Sequence, residues 1–387
     1  MLKISQFILL CYVASCFISP SLKTVFLISG LITWALYLTA LYEKKPVLYD
    51  PDFSTLNYFF AAFVLTKLAV VMNQGDSIAG WARSIFASYL QWFWFASLLL
   101  ASVKQKTFFK KYNFAYLVKY LLFYIGIIES AYIFLQLFGI LPSHGEDQTF
   151  GILSQPFTNA GLMLASSFTT ASMIIKDTKS YLYIALVVQI IGILILGQVS
   201  VILGLFVALV YFIFQSKAFK IKQIAAFLVL VVAVIGLASI FSPRIERKMK
   251  WFSSFERLTT NRSISCRYEV WKLNIEQFKK NPLLGNKKII PYDCVIKDKV
   301  NKLRHTHNIY LQKLVEGGLI KFSVWFAFYV AIGLYLFGLV KKSGPAGFCF
   351  FLAVSIEGLL ENWWGDSEVL AIFFFMVIFA KYMKTTR

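Results

Sequence analysis

The feature that most constrains this chain is a succession of apolar runs, each long enough to cross a membrane as a helix. A bilayer core of about 30 Å is spanned by roughly 20 helical residues. Twelve such runs can be placed, at about 4–20, 24–43, 55–73, 83–103, 114–141, 158–176, 181–197, 200–214, 223–241, 319–340, 345–361 and 368–382. Only 15% of the 387 residues are charged, against about a quarter in a soluble domain. We therefore predict an all-α integral membrane protein with about twelve transmembrane helices.

Charged residues predict the orientation of these helices, because short cytoplasmic loops carry an excess of Lys and Arg. Such residues cluster after the fourth, sixth, eighth, tenth and twelfth runs: Lys104, Lys106, Lys110, Lys111; Lys176, Lys179; Lys217, Lys220, Lys222; Lys341, Lys342; Lys381, Lys384, Arg387. The opposite loops contain few basic residues. Both termini are therefore predicted to be cytoplasmic. A tight turn near Gln198 separates the seventh and eighth runs, so one of these two is expected to be tilted or re-entrant.

A long basic segment interrupts the apolar pattern. Residues 242–304 contain sixteen Lys and Arg against six Asp and Glu, a net charge of +10. We divide the chain into nine helices within 1–241, a large and mainly helical loop on the outer side of the membrane within 242–318, and three helices within 319–387. The net charge of +20 is spread over loops, which does not favour nucleic acid as a partner. The basic loop fits anionic lipid headgroups or, our preferred interpretation, a phosphorylated substrate.

Within this loop, residues 267–280 are predicted to form an amphipathic helix. Its apolar residues recur at helical spacing and Asn281-Pro282 ends it; they are Tyr268, Trp271, Ile275 and Phe278. Cys266 and Cys294 lie in the same polar loop and can form a disulfide if the loop faces an oxidising compartment. The sequence alone does not give their separation.

The chain contains three histidines, His144, His305 and His307, all placed on the outer side by the predicted topology. A neutral imidazole suits a general base for a hydroxyl acceptor, and nearby guanidinium groups suit a departing diphosphate. Two alternatives stay open: interfacial polar residues at a helix start, and a three-histidine zinc site. Zinc is less favoured, because His305 and His307 precede an expected helix, which would point them apart.

Ionisable residues inside the apolar runs are functional candidates by default. Lys119 is expected to extend to the cytoplasmic edge, whereas Glu129 and Glu357 are expected to pair with a basic residue or line a cavity. Asp50-Pro51-Asp52 resembles the D-x-D of metal-dependent lipid-sugar transferases. It falls on the cytoplasmic side, away from the histidines, and is interpreted as a loop turn.

Three motifs resemble those of the O-antigen ligase and polymerase superfamily. The string Arg304-His305-Thr306-His307-Asn308-Ile309-Tyr310-Leu311, followed by Leu314-Val315-Glu316-Gly317-Gly318-Leu319, is similar to the family's H-x-H-N-x-Y-L…L-x-E-x-G-L signature. Upstream, Arg267-Tyr268-Glu269-Val270-Trp271 and Asn281-Pro282-Leu283-Leu284-Gly285 resemble its R-x-x-x-W and N-P-L-x-G elements. Phe150-Gly151, Pro156 and Asn159 weakly resemble a further element.

This resemblance implies a GT-C-like, inverting and metal-independent glycosyltransferase without a cofactor. Its donor would be an undecaprenyl-diphosphate-linked glycan. His307 matches the catalytic position that deprotonates the acceptor hydroxyl, and Arg267 matches an essential arginine that binds the donor diphosphate. Four further residues would shape the site by the same resemblance: Arg304, Asn308, Tyr310 and Glu316. We add His305 as a binding residue beside them.

The chain departs from the family at one element. Where the family often has a Ser-Arg pair, this sequence has Gly197-Gln198-Val199-Ser200-Val201. A second diphosphate contact would then come from Arg262 or Arg257, unless the donor or the reaction differs.

Two of the functional alternatives differ in the acceptor that they use. A ligase, which we favour, uses lipid A-core, and a polymerase uses another lipid-linked glycan in the same bacterial inner membrane. The alternative from another class is a transporter or flippase of an anionic lipid. It would account for the basic loop but leaves the histidine string without a role.

Overall fold

The structure is a computed structural model that describes residues 114–143, 151–153, 155–175, 177, 179–216, 262–286, 289–296, 299–365 and 367–383, with helical positions 7, 8, 10–14, 56, 58, 62, 65 and 66. Its longer helices are α1 (Phe114–Leu137), α2 (Pro156–Ile174), α3 (Ser180–Leu196), α4 (Val199–Ser216), α5 (Arg262–Lys280), α6 (Ile309–Ser343), α7 (Ala346–Glu357) and α8 (Ser367–Phe379). Short 3₁₀ turns occupy Trp363–Gly365 and Ala380–Tyr382, and two strands, β1 (Tyr292–Ile296) and β2 (Lys299–Leu303), form a hairpin.

Seven of the predicted apolar runs correspond to described helices. The fifth to eighth runs form α1 to α4, and the tenth to twelfth form α6 to α8. Helices α1 and α6 are long and apolar enough to cross a membrane, and α3, α4, α7 and α8 are apolar but shorter. The second, fourth and ninth runs lie outside the described residues, and only isolated helical positions of the first and third are described. The predicted total of twelve, and the predicted orientation, stay predictions.

Helix α2 lies at the centre of the described bundle, because α1, α3, α7 and α8 all pack against it. Its residues from 158 to 174 are buried, although many carry hydroxyl groups. Thr169 and Thr170 donate to the carbonyl oxygens of Ala165 and Ser166, at 2.8 and 3.0 Å. Small side chains let helices approach closely, and bonds to the preceding turn satisfy these two hydroxyl groups without an outside partner.

The segment before α2 is held by polar side chains of α1. Glu129 accepts the backbone N–H of Ile152 at 3.0 Å, and Gln136 accepts that of Gly151 at 2.6 Å. Asn159 contacts the backbone of Leu153 through both its side-chain oxygen and nitrogen. Of the two alternatives predicted for Glu129, a basic partner or a place on a cavity wall, the first is not seen in this described region, where Glu129 contacts a backbone amide. The packing gives Gly151 and Asn159, which weakly resemble a family element, a structural role.

Two further intramembrane predictions concern a turn and a lysine. The turn expected near Gln198 is confirmed at Gly197, which ends α3 with a left-handed φ of 61°. Lys119 is buried, and its ammonium donates to the carbonyl oxygen of Met383, near the end of the chain that we predict to be cytoplasmic.

The basic loop contains more than the predicted helix. The amphipathic helix is confirmed as α5, although it begins at Arg262 rather than Arg267. The hairpin β1–β2 was not predicted from the sequence, and it packs against α5. Helix α6, which contains the tenth predicted run, begins at Ile309, ten residues before the expected start of that run. It bends at Gly318, where φ is 61° and ψ is −173°.

The bend in α6 is the docking site for the Asn-Pro-Leu-Leu-Gly segment that follows α5. Leu319 and Ile320 donate their backbone N–H groups to the carbonyl oxygens of Pro282 and Leu283, at 2.8 and 3.2 Å. A Cβ atom on Gly285 would lie 2.2 Å from the backbone nitrogen of Gly318. Glycine at both positions therefore lets two backbones pack directly together. These two motifs join the loop to the membrane helix.

Replacing Gly318 by alanine is expected to destabilise the protein. The new Cβ would lie 2.3 Å from the carbonyl oxygen of Leu283, in a backbone conformation that side chains disfavour. The free energy of unfolding should fall by about 2 kcal/mol or more, seen as a lower melting temperature in detergent. The control is Gly338→Ala in the same helix, because nothing lies within 4 Å of its added Cβ. Equal melting temperatures for the two variants would contradict the docking role.

Candidate active site

Two basic residues from distant parts of the chain meet at one carboxylate. The Nη2 atom of Arg267 lies 2.7 Å from Oε1 of Glu361, and Nδ1 of His307 lies 2.8 Å from Oε2 of the same residue. The exposed fraction of the side chain is 25% for Arg267, 18% for His307 and 13% for Glu361. We call these three residues the Arg–Glu–His cluster.

Each member of the cluster is supplied by a different element. Arg267 lies in the second turn of α5, His307 in the turn before α6, and Glu361 in the segment after α7. The backbone N–H of Glu361 donates to the carbonyl oxygen of Glu357, the last residue of α7, at 2.9 Å. The cluster therefore forms only when the loop has folded onto α6 and α7.

The turn that carries His307 is fixed from both sides. Trp271 of α5 donates its indole N–H to the carbonyl oxygen of Thr306 at 2.6 Å. Thr306 is buried, and its backbone N–H donates to the side chain of Gln312 at 3.1 Å. His307 itself has a φ of 50°, which is uncommon for a residue with a side chain. Such a conformation persists where the surrounding contacts determine it.

His305 lies beside His307, with 4.0 Å between the ring centroids and 51° between the ring planes. The expectation that these two side chains point apart was wrong, because the backbone turns at His307 before the helix begins. Burial lowers the pKa of His305 to about 4; the charges of His307 and Arg267 lower it too, and that of Glu361 opposes them. His305 is therefore neutral near pH 7. Its Nδ1 atom is buried and has no hydrogen-bond partner within the described part of the chain.

The hydrogen bonds assign the protons of the cluster. Burial raises the pKa of Glu361, but the hydrogen bond from His307 and the charge of Arg267 outweigh it, so the pKa lies below its usual 4.5. An ionised carboxylate only accepts hydrogen bonds, so Nδ1 of His307 must carry the proton that is shared with it. In the neutral imidazole, the opposite ring nitrogen, Nε2, then holds the lone pair. A histidine in this state can act as a base.

Asn308 ties the start of α6 to the segment that carries Glu361. Its side-chain oxygen accepts the backbone N–H of Leu311 at 2.9 Å, as a helix N-cap. Its amide nitrogen donates to the carbonyl oxygen of Leu359 at 3.0 Å. The next backbone N–H, that of Ile309, donates to Gly358 at 2.9 Å. Asn308 thereby sets the distance between His307 and Glu361.

Tyr310 and Glu316 contact protein groups around the turn. The Tyr310 hydroxyl donates to the carbonyl oxygen of Ser355 in α7 at 2.9 Å. Glu316 accepts from the Gln312 amide at 2.6 Å, and Gln312 in turn accepts from Thr306. The structure thus places both predicted binding residues where they support the histidine turn.

The structure gives the positions of two further predicted residues, Arg304 and Arg262. Arg304 is exposed three residues before His307, and Arg262 is the first residue of α5. Arg257 and His144 lie outside the described residues, so the structure does not test the three-histidine zinc alternative. Ser200 lies in the element at which the sequence departs from the family pattern. It is buried in the first turn of α4.

A disulfide between Cys266 and Cys294 joins α5 to β1, with 5.8 Å between the Cα atoms. Cys266 immediately precedes Arg267. Asn274, farther along α5, exchanges two hydrogen bonds with the backbone of Ile290, at 2.9 and 3.1 Å. These links hold the hairpin against the helix that carries Arg267.

Sequence reasoning missed Glu361, because the motifs that resemble the family end at Leu319. A weaker signal was present: Glu361 is an ionisable residue at the outer edge of an apolar run, directly before Asn362-Trp363-Trp364. An ionisable residue in that place is a candidate for function. Its partners could not be identified, since they lie 94 and 54 residues earlier in the chain.

Comparison with known proteins supports the resemblance seen in the motifs. Residues 184–326 match the family model described as O-antigen ligase, and this segment includes Arg267 and His307 but not Glu361. The predicted resemblance is confirmed. Together with the apolar helices, the match identifies a membrane protein related to a family of enzymes. No curated protein matches the chain.

The disulfide should be required for a stable loop. Replacing Cys266 and Cys294 together by serine is expected to lower the free energy of unfolding by about 2–4 kcal/mol, because the cross-link no longer restricts the unfolded chain. Melting temperature in detergent is the measurement, and Cys11→Ser is the control. Alkylation with a polyethylene glycol maleimide, before and after reduction, should show two additional reactive thiols only after reduction. Modification of Cys266 without reduction would contradict the disulfide.

Proposed function

We propose that this protein is an inverting, metal-independent glycosyltransferase that moves an undecaprenyl-diphosphate-linked glycan onto an acceptor hydroxyl. The observation that carries the proposal is the Arg–Glu–His cluster, which places a histidine base and an arginine side by side. The cluster lies where a basic loop returns to apolar helices. An acceptor and a lipid-linked diphosphate could meet there without leaving the membrane surface.

His307 is proposed as the general base. Its Nε2 lone pair would take the proton of the acceptor hydroxyl while the oxygen attacks the anomeric carbon of the donor. The diphosphate would leave from the opposite face of the sugar, so that the configuration at this carbon inverts. General-base catalysis of this kind typically contributes about 10²–10⁴-fold in rate.

Arg267 is proposed to bind the donor diphosphate. A guanidinium group offers several N–H donors in a planar arrangement that matches phosphate oxygens, and its charge stabilises the leaving group. Arg304 and Arg262 are proposed as further diphosphate contacts, and the unpaired Nδ1 of His305 as a contact for a sugar hydroxyl. Asn308, Tyr310 and Glu316 are proposed to shape this site through the turn that they support.

A lipid-linked donor is supported by an apolar groove beside the cluster. The groove, of about 320 Å³, lies between α6 and α7. Tyr310 and Ser355 line it together with Phe326, Tyr329, Val330, Gly333, Leu334, Phe337, Phe348 and Phe351. Tyr310 follows His307 by three residues, so the groove begins near the proposed base. Its apolar lining suits an isoprenoid chain.

The acceptor and the location are inferred from the family description and the disulfide. The description O-antigen ligase favours lipid A-core as the acceptor, with repeat-unit polymerisation onto a lipid-linked glycan as the alternative. A disulfide in the loop supports an oxidising compartment. We therefore propose a multi-pass protein of the bacterial inner membrane, with both termini cytoplasmic and the active site periplasmic.

Complementation tests the catalytic assignment. In a strain deleted for this gene, His307→Ala and Arg267→Ala are each expected to lower surface glycan by about 100-fold or more, because each removes a group that acts in the transition state. Glycan is measured on a gel, and membrane abundance is measured for each variant. The control is Lys280→Ala, which removes an exposed basic residue from the same helix as Arg267.

The same gel separates the alternatives. Free polymer without attachment to the core identifies a ligase, and core with a single repeat unit identifies a polymerase. Normal glycan in both variants, at normal abundance, would reject the transferase and favour the transporter.

A further inference from the structure

Glu361 contacts both residues that the proposed reaction needs, but the proposed reaction assigns it no role. Its two carboxylate oxygens are divided between them: Oε1 contacts Arg267 at 2.7 Å, and Oε2 contacts His307 at 2.8 Å. A carboxylate shared in this way neutralises one partner and orients the other.

We infer that Glu361 is a positioning residue that neutralises Arg267 while the donor site is empty and stabilises the positive charge on His307 during transfer. The inference rests on the proposed function and deepens it. It makes Glu361 a residue that weakens donor binding and accelerates the reaction, two effects of opposite sign on the observed kinetics.

The first effect concerns Arg267. Its Nη2 group contacts Glu361 at 2.7 Å, so an incoming diphosphate must share or displace this contact. Competition from the carboxylate lowers the affinity for the diphosphate, and it also helps the diphosphate to leave after transfer. The carboxylate keeps the guanidinium in place between turnovers, because an unpaired charge at a half-buried position would be costly.

The second effect concerns His307. In the transfer step the acceptor O–H bond breaks and its proton moves to Nε2 of His307. The acceptor oxygen bonds to the anomeric carbon, and the electrons of the carbon–oxygen bond to the donor leave with the diphosphate. The imidazole then carries a positive charge, which Glu361 balances through the hydrogen bond at Nδ1. Loss of the Nε2 proton to water restores the base.

The charges around His307 predict the pH dependence. Among the described residues, those that face it are Glu361 from the segment after α7, Arg267 from α5, and His305 from the same turn. Arg304, which immediately precedes His305, is exposed. His305, with a pKa of about 4, adds no charge above about pH 5. Without the charge of Glu361, His307 would face the charge of Arg267 uncompensated. The charge of Arg267 would then disfavour a second positive charge on the imidazole.

The test compares Glu361→Gln with the wild-type protein. The amide keeps the shape of the side chain but removes its charge. In lipid nanodiscs, Glu361→Gln is expected to bind farnesyl diphosphate about three- to tenfold more tightly. In envelope fractions that contain endogenous donor and acceptor, glycan transfer should fall by about 100-fold. The acidic limb of its pH profile should move to lower pH, because the charge of Arg267 is no longer balanced.

Two further variants make the result decisive. Glu276→Gln changes an exposed carboxylate of α5, which pairs with Lys279, and should leave affinity, rate and pH profile unchanged. Glu361→Asp keeps the charge on a shorter side chain, and should retain the wild-type acidic limb and partial transfer. If Glu361→Gln fails to accumulate, Glu361→Asp tests the inference instead. An acidic limb at lower pH in Glu361→Asp than in the wild-type protein would overturn the inference.

Wild-type affinity, rate and pH profile in Glu361→Gln would also overturn the inference. If His307→Ala and Arg267→Ala are inactive in that case, the proposed function stands and only the role of Glu361 is wrong. If those two variants are active, the proposed function itself fails.

Discussion

The candidate site depends on one charge interaction in which a buried carboxylate is shared by an arginine and a histidine. Glu361 gives each partner one oxygen, at 2.7 and 2.8 Å. The ion pair lets a guanidinium remain half-buried, and the same carboxylate fixes which imidazole nitrogen carries the proton. The carboxylate thereby orients both basic residues. The surrounding architecture can be understood as the means of holding these three side chains together.

The architecture achieves this by fastening a polar loop to apolar helices through backbone contacts. The Asn-Pro-Leu-Leu-Gly segment packs onto the bend at Gly318, Trp271 holds the carbonyl group of Thr306, and Asn308 reaches the segment before Glu361. Backbone groups make directional bonds that change little with side-chain motion. They are therefore well suited to keep a loop in register with a membrane helix. The strained φ of His307 is the local consequence of this fastening.

Several residues in the segments that resemble family motifs have structural roles in this protein. Gly285 and Gly318 permit backbone contact, Gln312 links Glu316 to Thr306, and Tyr310 attaches α6 to α7. A motif read from a sequence does not distinguish residues that touch a substrate from those that hold them in place. Among the described residues, the geometry groups Arg267, His305 and His307 around Glu361.

The sequence by itself determined the elements whose signals are local. Apolar runs predicted the described membrane helices to within a few residues at most ends, and helical periodicity predicted α5, because both depend on neighbouring residues along one helix. The motifs predicted the family and indicated Arg267 and His307 as candidate catalytic residues. Tertiary structure alone decided the contacts of Glu361, whose partners lie 54 and 94 residues earlier in the chain. It also decided the backbone conformations at His307 and Gly318, which bring His305 beside His307 and bend α6. The hairpin was not predicted either, although its two strands are adjacent in the chain. Local patterns carry no information about such meetings, since many partners would satisfy the same charge or the same turn.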